Sequence, residues 1–327
     1  MKTEDIRPEA LLAENWRLYY EDVAVMMIGR EGFVHVPCPA CGDGAWSLAF
    51  EKDGFRHLTC SGCETLYISP RPTFEMLMEF YRGAHSIKHW NESIFPSTEE
   101  ARRMEIFKPR AMDVQYKCKK YGVPFETLVD VGAGFGTFCA ELEKYGSFEH
   151  VVAVEPSSDL AESCRRKGLE VLEHPIEHVG LKNVSVITAF EMIEHLFSPR
   201  EFIRSCNRSL VEGGLLILTT PNIKGFDLMV LGQMSENVGG PNHLQFFHPG
   251  SMRRLLEECG FEVLELTTPG KLDAEIVRTA AHRGKTMVIP FLWEVLLTRW
   301  EELGGPFQKF LQDNLLSSHM RVVARKA

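Results

Sequence analysis

Along residues 122–270, short and almost wholly apolar runs alternate with longer runs in which apolar residues recur every three or four positions. Short apolar runs bounded by glycine or polar residues read as strands buried on both faces. The three-to-four spacing reads as amphipathic helix. The pattern predicts strands at 127–131, 150–154, 170–173, 184–190, 213–220 and 261–267, with helices at 136–145, 158–167, 199–209 and 249–259. Such alternation implies an α/β fold, a mostly parallel sheet with helices on both faces.

Outside this region the pattern changes. Residues 1–33 read as a helical lead-in, and 34–72 carry short β-like runs such as Trp46–Phe50 before the stiff joint Ser69-Pro70-Arg71-Pro72. Residues 73–121 read as a helical linker or cover, with Thr73 a fair N-cap for a helix through Tyr81. Residues 271–317 are again helical, an insertion suited to covering a substrate, and 318–327 return to the sheet through Met320–Ala324.

Composition narrows the function classes. A chain of 327 residues, 44% hydrophobic and 25% charged, is ordinary for a globular protein with one large domain and a smaller one. The net charge of −9 argues against nucleic acid as a partner, because phosphate binding leaves a basic footprint. Met1–Asp5 has no apolar core of the signal-peptide kind, and the apolar stretch Met287–Leu297 contains Pro290 and Glu294 and is too short to span a bilayer. A cytoplasmic location without a membrane partner is expected. Five of the nine cysteines, Cys118, Cys139, Cys164, Cys206 and Cys259, are scattered through helix-like or core-like sequence and read as plain thiols.

The densest chemistry lies in Val129-Asp130-Val131-Gly132-Ala133-Gly134-Phe135-Gly136-Thr137 and, about twenty residues on, Val152-Ala153-Val154-Glu155-Pro156. This is a strand, a glycine turn, a helix, a second strand and an acid, one half of a doubly wound nucleotide site. A dinucleotide fingerprint needs G-x-G-x-x-G, yet the glycines fall at 132, 134 and 136 and Thr137 takes the third place. Asp130 also stands where dinucleotide folds keep an apolar residue. S-adenosylmethionine carries no phosphate and needs an acid near its amine and another near its ribose. Asp130 and Glu155 suit those two tasks.

With these motifs in place, the chain resembles class I S-adenosylmethionine-dependent methyltransferases. Val129–Thr137 matches the first motif of that family and Val152–Ser157 the second. Ile187–Leu196 matches the strand-four segment of a subgroup reading F-E-V-I-E-H-L. The resemblance covers residues 110–270. It implies a Rossmann-like sheet, mostly parallel with an antiparallel last strand, and S-adenosylmethionine held by Asp130, Gly132, Ala133, Gly134, Gly136, Glu155, Pro156, Ile176 and Phe190. Where many relatives carry an acid after strand three, this chain has His174-Pro175-Ile176-Glu177, so adenine contacts near Ile176 are expected from the backbone.

Cys38-Pro39-Ala40-Cys41 and Cys60-Ser61-Gly62-Cys63 form C-x₂-C-x₁₈-C-x₂-C, the spacing of a four-thiolate zinc site. Four thiolates close the tetrahedron, so Cys38, Cys41, Cys60 and Cys63 are expected to hold a structural Zn²⁺. A redox C-x-x-C is the competing reading. The arrangement resembles the zinc-binding module that precedes methyltransferase domains in deoxysugar-modifying enzymes.

Acceptor chemistry points to Glu191, Glu194 and His195, an E-x-x-E-H set after strand four, and to His243 in the later loop Gly240–Phe247. The set resembles that of small-RNA 2′-O-methyltransferases, where it and a later histidine bind a divalent ion that grips vicinal hydroxyls. Ubiquinone-pathway O-methyltransferases also use acids in this segment. A second divalent ion at Glu191, Glu194, His195 and His243, a metal-free base at His243, and a purely structural role all remain open here. Lys271, Asp273 and His319 are further polar groups that could line an acceptor pocket.

The expected function is methyl transfer from S-adenosylmethionine to a small polar acceptor, such as a sugar or nucleotide sugar, on oxygen, nitrogen or carbon. The alternatives are an RNA methyltransferase whose zinc lobe grips RNA and a non-catalytic cofactor-binding regulator.

Overall fold

A computed structural model describes residues 3–284 and 289–327. Met287 and Val288 of the apolar stretch noted above lie outside the described residues. The principal helices and strands are, in order, α1 (Glu9–Ile28), β1 (Trp46–Lys52), β2 (Phe55–Cys60), β3 (Leu66–Ile68), α2 (Phe74–Gly83), α3 (Phe95–Arg102) and α4 (Lys108–Tyr121). The sheet domain follows with β4 (Thr127–Val131), α5 (Thr137–Tyr145), β5 (His150–Val154), α6 (Ser158–Arg166), β6 (Glu170–Leu172), α7 (Ile176–Val179), β7 (Val184–Phe190), α8 (Pro199–Ser209) and β8 (Leu210–Pro221). The chain closes with α9 (Phe226–Leu231), β9 (Gln245–Phe246), α10 (Pro249–Glu258), β10 (Phe261–Thr267), α11 (Asp273–His282), α12 (Trp300–Asp313) and β11 (His319–Lys326).

Seven strands form the main sheet in the order β10-β11-β8-β7-β4-β5-β6. The pairs from β8 to β6 are parallel, and β11 runs antiparallel between β8 and β10. The strand order turns back at β4, where Val129 pairs with Val152 on one side and Ile187 on the other. Ligands of doubly wound sheets sit outside the carboxyl ends of the strands at such a switch point. The inward faces of Val129, Val131, Val154, Ile187 and Leu218 share one buried core. Leu128, Ala153, Val186 and Ile217 point the other way into a second, under α4 and α5. That two-sided burial is why these strands read as continuous apolar runs.

Strand β8 is longer than the expected 213–220 and starts at Leu210, directly from α8. It absorbs Gly213 and Gly214 where its register with β7 shifts between Val184 and Val186. The segment 90–107 is helical with two π turns, at Trp90–Ile94 and Arg103–Phe107.

The cysteine-bearing segment is not self-contained. Its sheet has the order β1-β2-β3-β9, so a strand from residues 245–246, far along the chain, completes it. Cys38, Ala40, Leu58, Cys60 and Tyr67 belong to the same buried cluster as Val129, Ile187 and Phe247. The expected joint at 69–72 is woven in as well: Arg71 bridges Val34 and is 3% exposed. Among the described residues no helix is long and apolar enough to cross a membrane.

Candidate active site

The glycine turn leaves β4 with Gly132, Gly134 and Gly136 all at positive φ (74°, 57° and 72°). They do different work. A Cβ on Gly132 would lie 2.9 Å from Met192 Cγ, and one on Gly136 would lie 2.6 Å from Leu169 Cδ1 and 2.9 Å from Cys164 Sγ. A Cβ on Gly134 would meet nothing within 4 Å. Gly132 and Gly136 therefore allow close packing, and Gly134 faces open space.

Glu155, 6% exposed, ends β5 and ties the turn down. Its Oε2 accepts from Gly134 N at 2.8 Å and its Oε1 from Ser157 N at 2.9 Å. Burial pushes its carboxyl above the ordinary range against these two bonds. Asp130 is 3% exposed, accepts from Thr188 Oγ1 at 2.6 Å, and is pushed by burial up to about 7. Ala133 and Phe190 are half-buried, Ile176 is buried, and Pro156 is exposed beside Glu155.

A helical cover lies on the turn. Phe95 of α3 stacks on Phe135 with ring centres 4.0 Å apart. Glu99 accepts from Thr137 Oγ1 at 2.7 Å and from Lys167 Nζ at 2.5 Å, and Lys167 also donates to the Phe135 carbonyl. Arg110 of α4 lies over the Phe190 ring at 4.6 Å and 3.6 Å from Glu191. It brings a cation into an acidic cleft near Asp130 and Glu194. Sequence patterning did not single out Arg110. An arginine in a polar helix carries no periodic signal, and only the packing of α4 shows where it points.

Beyond the carboxyl end of β7, Glu194 and His195 lie in a 3₁₀ turn at Ile193–His195. One ligand-type atom each from Glu194, His195 and His243 falls within 4.8 Å of the others. Glu194 is 1% exposed, and its Oε2 accepts from Thr220 Oγ1 at 2.9 Å. His195 Nδ1 donates to the Asn242 carbonyl at 2.6 Å and His243 Nδ1 to the Asn237 carbonyl at 2.7 Å. These bonds leave Nε2 of both rings as lone-pair donors. Burial pushes His195 down to about 3 and also lowers His243, so both rings are neutral. Burial, with Glu191 adding to it, pushes the Glu194 carboxyl well up.

Glu191 lies beside that trio without joining its convergent atoms. It sits at φ 52°, a left-handed position that non-glycine residues adopt at a cost of about 1–3 kcal/mol. Its Oε1 accepts from Thr219 Oγ1 at 2.5 Å and lies 3.2 Å from His319 Nδ1. Burial opposes ionisation, yet His319, Arg110 and the Thr219 hydroxyl hold the Glu191 carboxyl below its ordinary range. His319, at the start of β11, thus reaches the site. Asp273 instead accepts from Ser317 Oγ (2.7 Å) and Gln308 Nε2 (2.6 Å), bracing the helical insertion, and Lys271 is exposed.

The four cysteine sulfurs also converge within 4.8 Å of one another, with Cys38–Cys63 and Cys41–Cys60 each at 3.5 Å. A tetrahedron with Zn–S bonds of about 2.3 Å has edges of about 3.8 Å, so the set matches a four-thiolate cage. The other five cysteines are buried free thiols.

A family model described as a methyltransferase domain matches residues 97–266, just over half of the chain. The chain belongs to this methyltransferase family. This methyltransferase is S-adenosylmethionine-dependent. It is 31% identical over 197 residues to the "Ubiquinone biosynthesis O-methyltransferase" of Methylococcus capsulatus, covering 55% of this chain and 79% of that one. To the protein of the same name from Coxiella burnetii it is 24% identical over 156 residues, 43% of this chain and 65% of that one. The match thus spans slightly less than two thirds of the Coxiella relative. Among solved structures, an S-adenosylmethionine-dependent methyltransferase from Clostridium acetobutylicum superposes with a TM-score of 0.45 at 12% identity, covering 68% of this chain and 93% of that one. The relatives' names do not point to a sugar.

Proposed function

We propose that this methyltransferase transfers the methyl group of S-adenosylmethionine to a hydroxyl oxygen of a small polar acceptor. On this reading the donor lies over Gly132, Ala133, Gly134 and Gly136. Its ribose is held by Glu155 beside Pro156, its amine by Asp130, and its adenine near Ile176. Phe190 and Arg110 close the methionyl end, where the guanidinium suits a carboxylate.

The observation that carries the hydroxyl is the trio Glu194, His195 and His243. Two neutral rings present Nε2, each oriented by an Nδ1–H bond to a backbone carbonyl, and converge with a buried carboxyl. Backbone bonds of this kind orient metal-ligating histidines. The donor set suits a divalent cation, which would lower the pKa of a hydroxyl bound to it. The chain's own part is to place the acceptor oxygen in line with the sulfur–methyl bond and to keep water out. Glu191, fixed by Thr219 and His319, faces the same space. The net charge of −9 weighs against RNA as acceptor. The relatives' shared name, an O-methyltransferase of ubiquinone biosynthesis, supports transfer to oxygen.

Cys38, Cys41, Cys60 and Cys63 are inferred to hold a structural zinc, since four ligands leave no open position. Incubation with S-adenosylmethionine and a panel of catechols, other phenols and nucleotide sugars tests the reading. Methyl gain on oxygen, located by mass spectrometry, supports it. Gain only on nitrogen or carbon overturns it.

A further inference from the structure

The segment that carries His243 runs straight into the cysteine lobe. Gln245, two residues on, lies in β9 and pairs with Tyr67 of β3. β3 begins three residues after Cys63, whose sulfur is 3.2 Å from Thr65 Oγ1. Gln245 is fully buried. Its Nε2 donates to the carbonyls of Ile193 and Leu196 at 2.8 Å each, with Glu194 O at 3.3 Å, so one amide closes the turn that presents Glu194 and His195. Its Oε1 accepts from Arg71 Nη1 at 3.2 Å, and Arg71 Nη2 donates to Phe197 O at 2.5 Å. The backbone adds Leu244 N to Glu194 O and Ile68 N to Leu244 O, both at 2.9 Å. On the other side of the lobe, His248 Nε2 donates to Cys63 O at 2.8 Å.

A buried primary amide bridging two loops is costly unless every bond is made, because an unpaired carbonyl or N–H there has no water to turn to. Its bonds here join the cysteine-lobe sheet to the acceptor turn. The donor loop is held separately, by Val154, Glu155 and Lys167. We propose that Gln245 is a positioning residue that couples the four-cysteine site to the Glu194–His195–His243 cluster, so that the state of the thiols sets the acceptor geometry and leaves the donor loop in place. The coupling rests on the acceptor-site reading above. It makes the cysteine lobe a working part of the enzyme and not a detached handle.

The test uses the zinc-loaded full chain and two variants. Gln245→Met keeps the volume and removes the polar contacts. Gln245→Asn keeps the amide one methylene short of its carbonyls. Both should retain S-adenosylmethionine affinity within about threefold and retain the thiolate absorption of a cobalt-substituted cysteine site. Both should lose about 10- to 100-fold in kcat, the usual cost of losing a residue that orients metal ligands. Amide exchange at residues 193–197 should quicken. Releasing zinc from the wild type with a mercurial should quicken the same residues and leave 132–136 unchanged. Wild-type kcat and exchange in both variants would overturn the coupling, as would zinc release that leaves 193–197 protected. Loss of donor affinity in both variants would overturn its selectivity. If the wild type methylates no hydroxyl, the acceptor reading fails, and the exchange and cobalt readouts still decide the coupling.

Discussion

Replacing Gly136 by alanine and replacing Gly134 by alanine should fail in different ways. Each sits in the left-handed region, where an L-residue costs about 1–2 kcal/mol. At Gly136 the new methyl also lands 2.6 Å from Leu169 Cδ1 and 2.9 Å from Cys164 Sγ, with the Cys164 Cα at 3.3 Å. Overpacking of that kind adds about 1–3 kcal/mol, for a total of about 2–5 kcal/mol. G136A should therefore melt roughly 3–7 °C below the wild type without ligand. At Gly134 the methyl meets no protein atom within 4 Å, so only the backbone term applies. G134A should melt within a few degrees of the wild type, yet its methyl stands on the floor assigned to the donor. Calorimetric titration should show S-adenosylmethionine affinity at least tenfold weaker, about 1.4 kcal/mol. The reasoning is refuted if G134A binds the donor as tightly as the wild type, or if G136A melts with it.

Arg110→Met should weaken donor binding by about tenfold in the same titration, with a smaller effect at high salt because the lost contact is ionic. Cys60→Ser should lower bound zinc, measured by atomic absorption, from the one ion per chain expected of the wild type, and expose residues 34–70 to protease. His57 is fully buried, stacks on Phe50 with ring centres 4.6 Å apart, and is pushed by burial down to about 4 from 6.5. The unfolded chain therefore takes up a proton below pH 6.5 that the folded chain refuses until about pH 4. That contribution to stability is intact above pH 6.5 and falls by about 3 kcal/mol as the pH drops through this window. His57→Phe should show a shallower loss in urea titrations at pH 7 and pH 4.5. Parallel slopes would contradict the burial argument.

The glycine-turn half of the candidate site was legible because its signals are local. The G-x-G-x-G turn and Glu155 lie within one βαβ unit, and both flanking strands are buried on both faces, so period and punctuation agree. The E-x-x-E-H set was legible as a motif, but its division was not. Glu191 turns toward Thr219 and His319 because its backbone is left-handed, which no spacing reports. The cysteine spacing announced a cage but not its place. A two-residue strand at 245–246 is too short to carry a period, and its pairing with β3 spans most of the chain. Arg71 and Gln245, polar residues in apparent linker sequence, become buried struts only through that pairing.

The central claim is a hydroxyl methyltransferase whose acceptor side is the Glu194–His195–His243 cluster. The most direct measurement is the rate of methyl transfer to a catechol against added Mn²⁺ or Co²⁺, ions that imidazole and carboxylate ligands accept, for the wild type and H243A, with donor affinity measured on both. The account predicts a wild-type rate that rises with the added ion and an H243A protein that binds S-adenosylmethionine normally but transfers at least a hundredfold more slowly. A wild-type rate indifferent to either ion, with H243A transferring as fast, would contradict it.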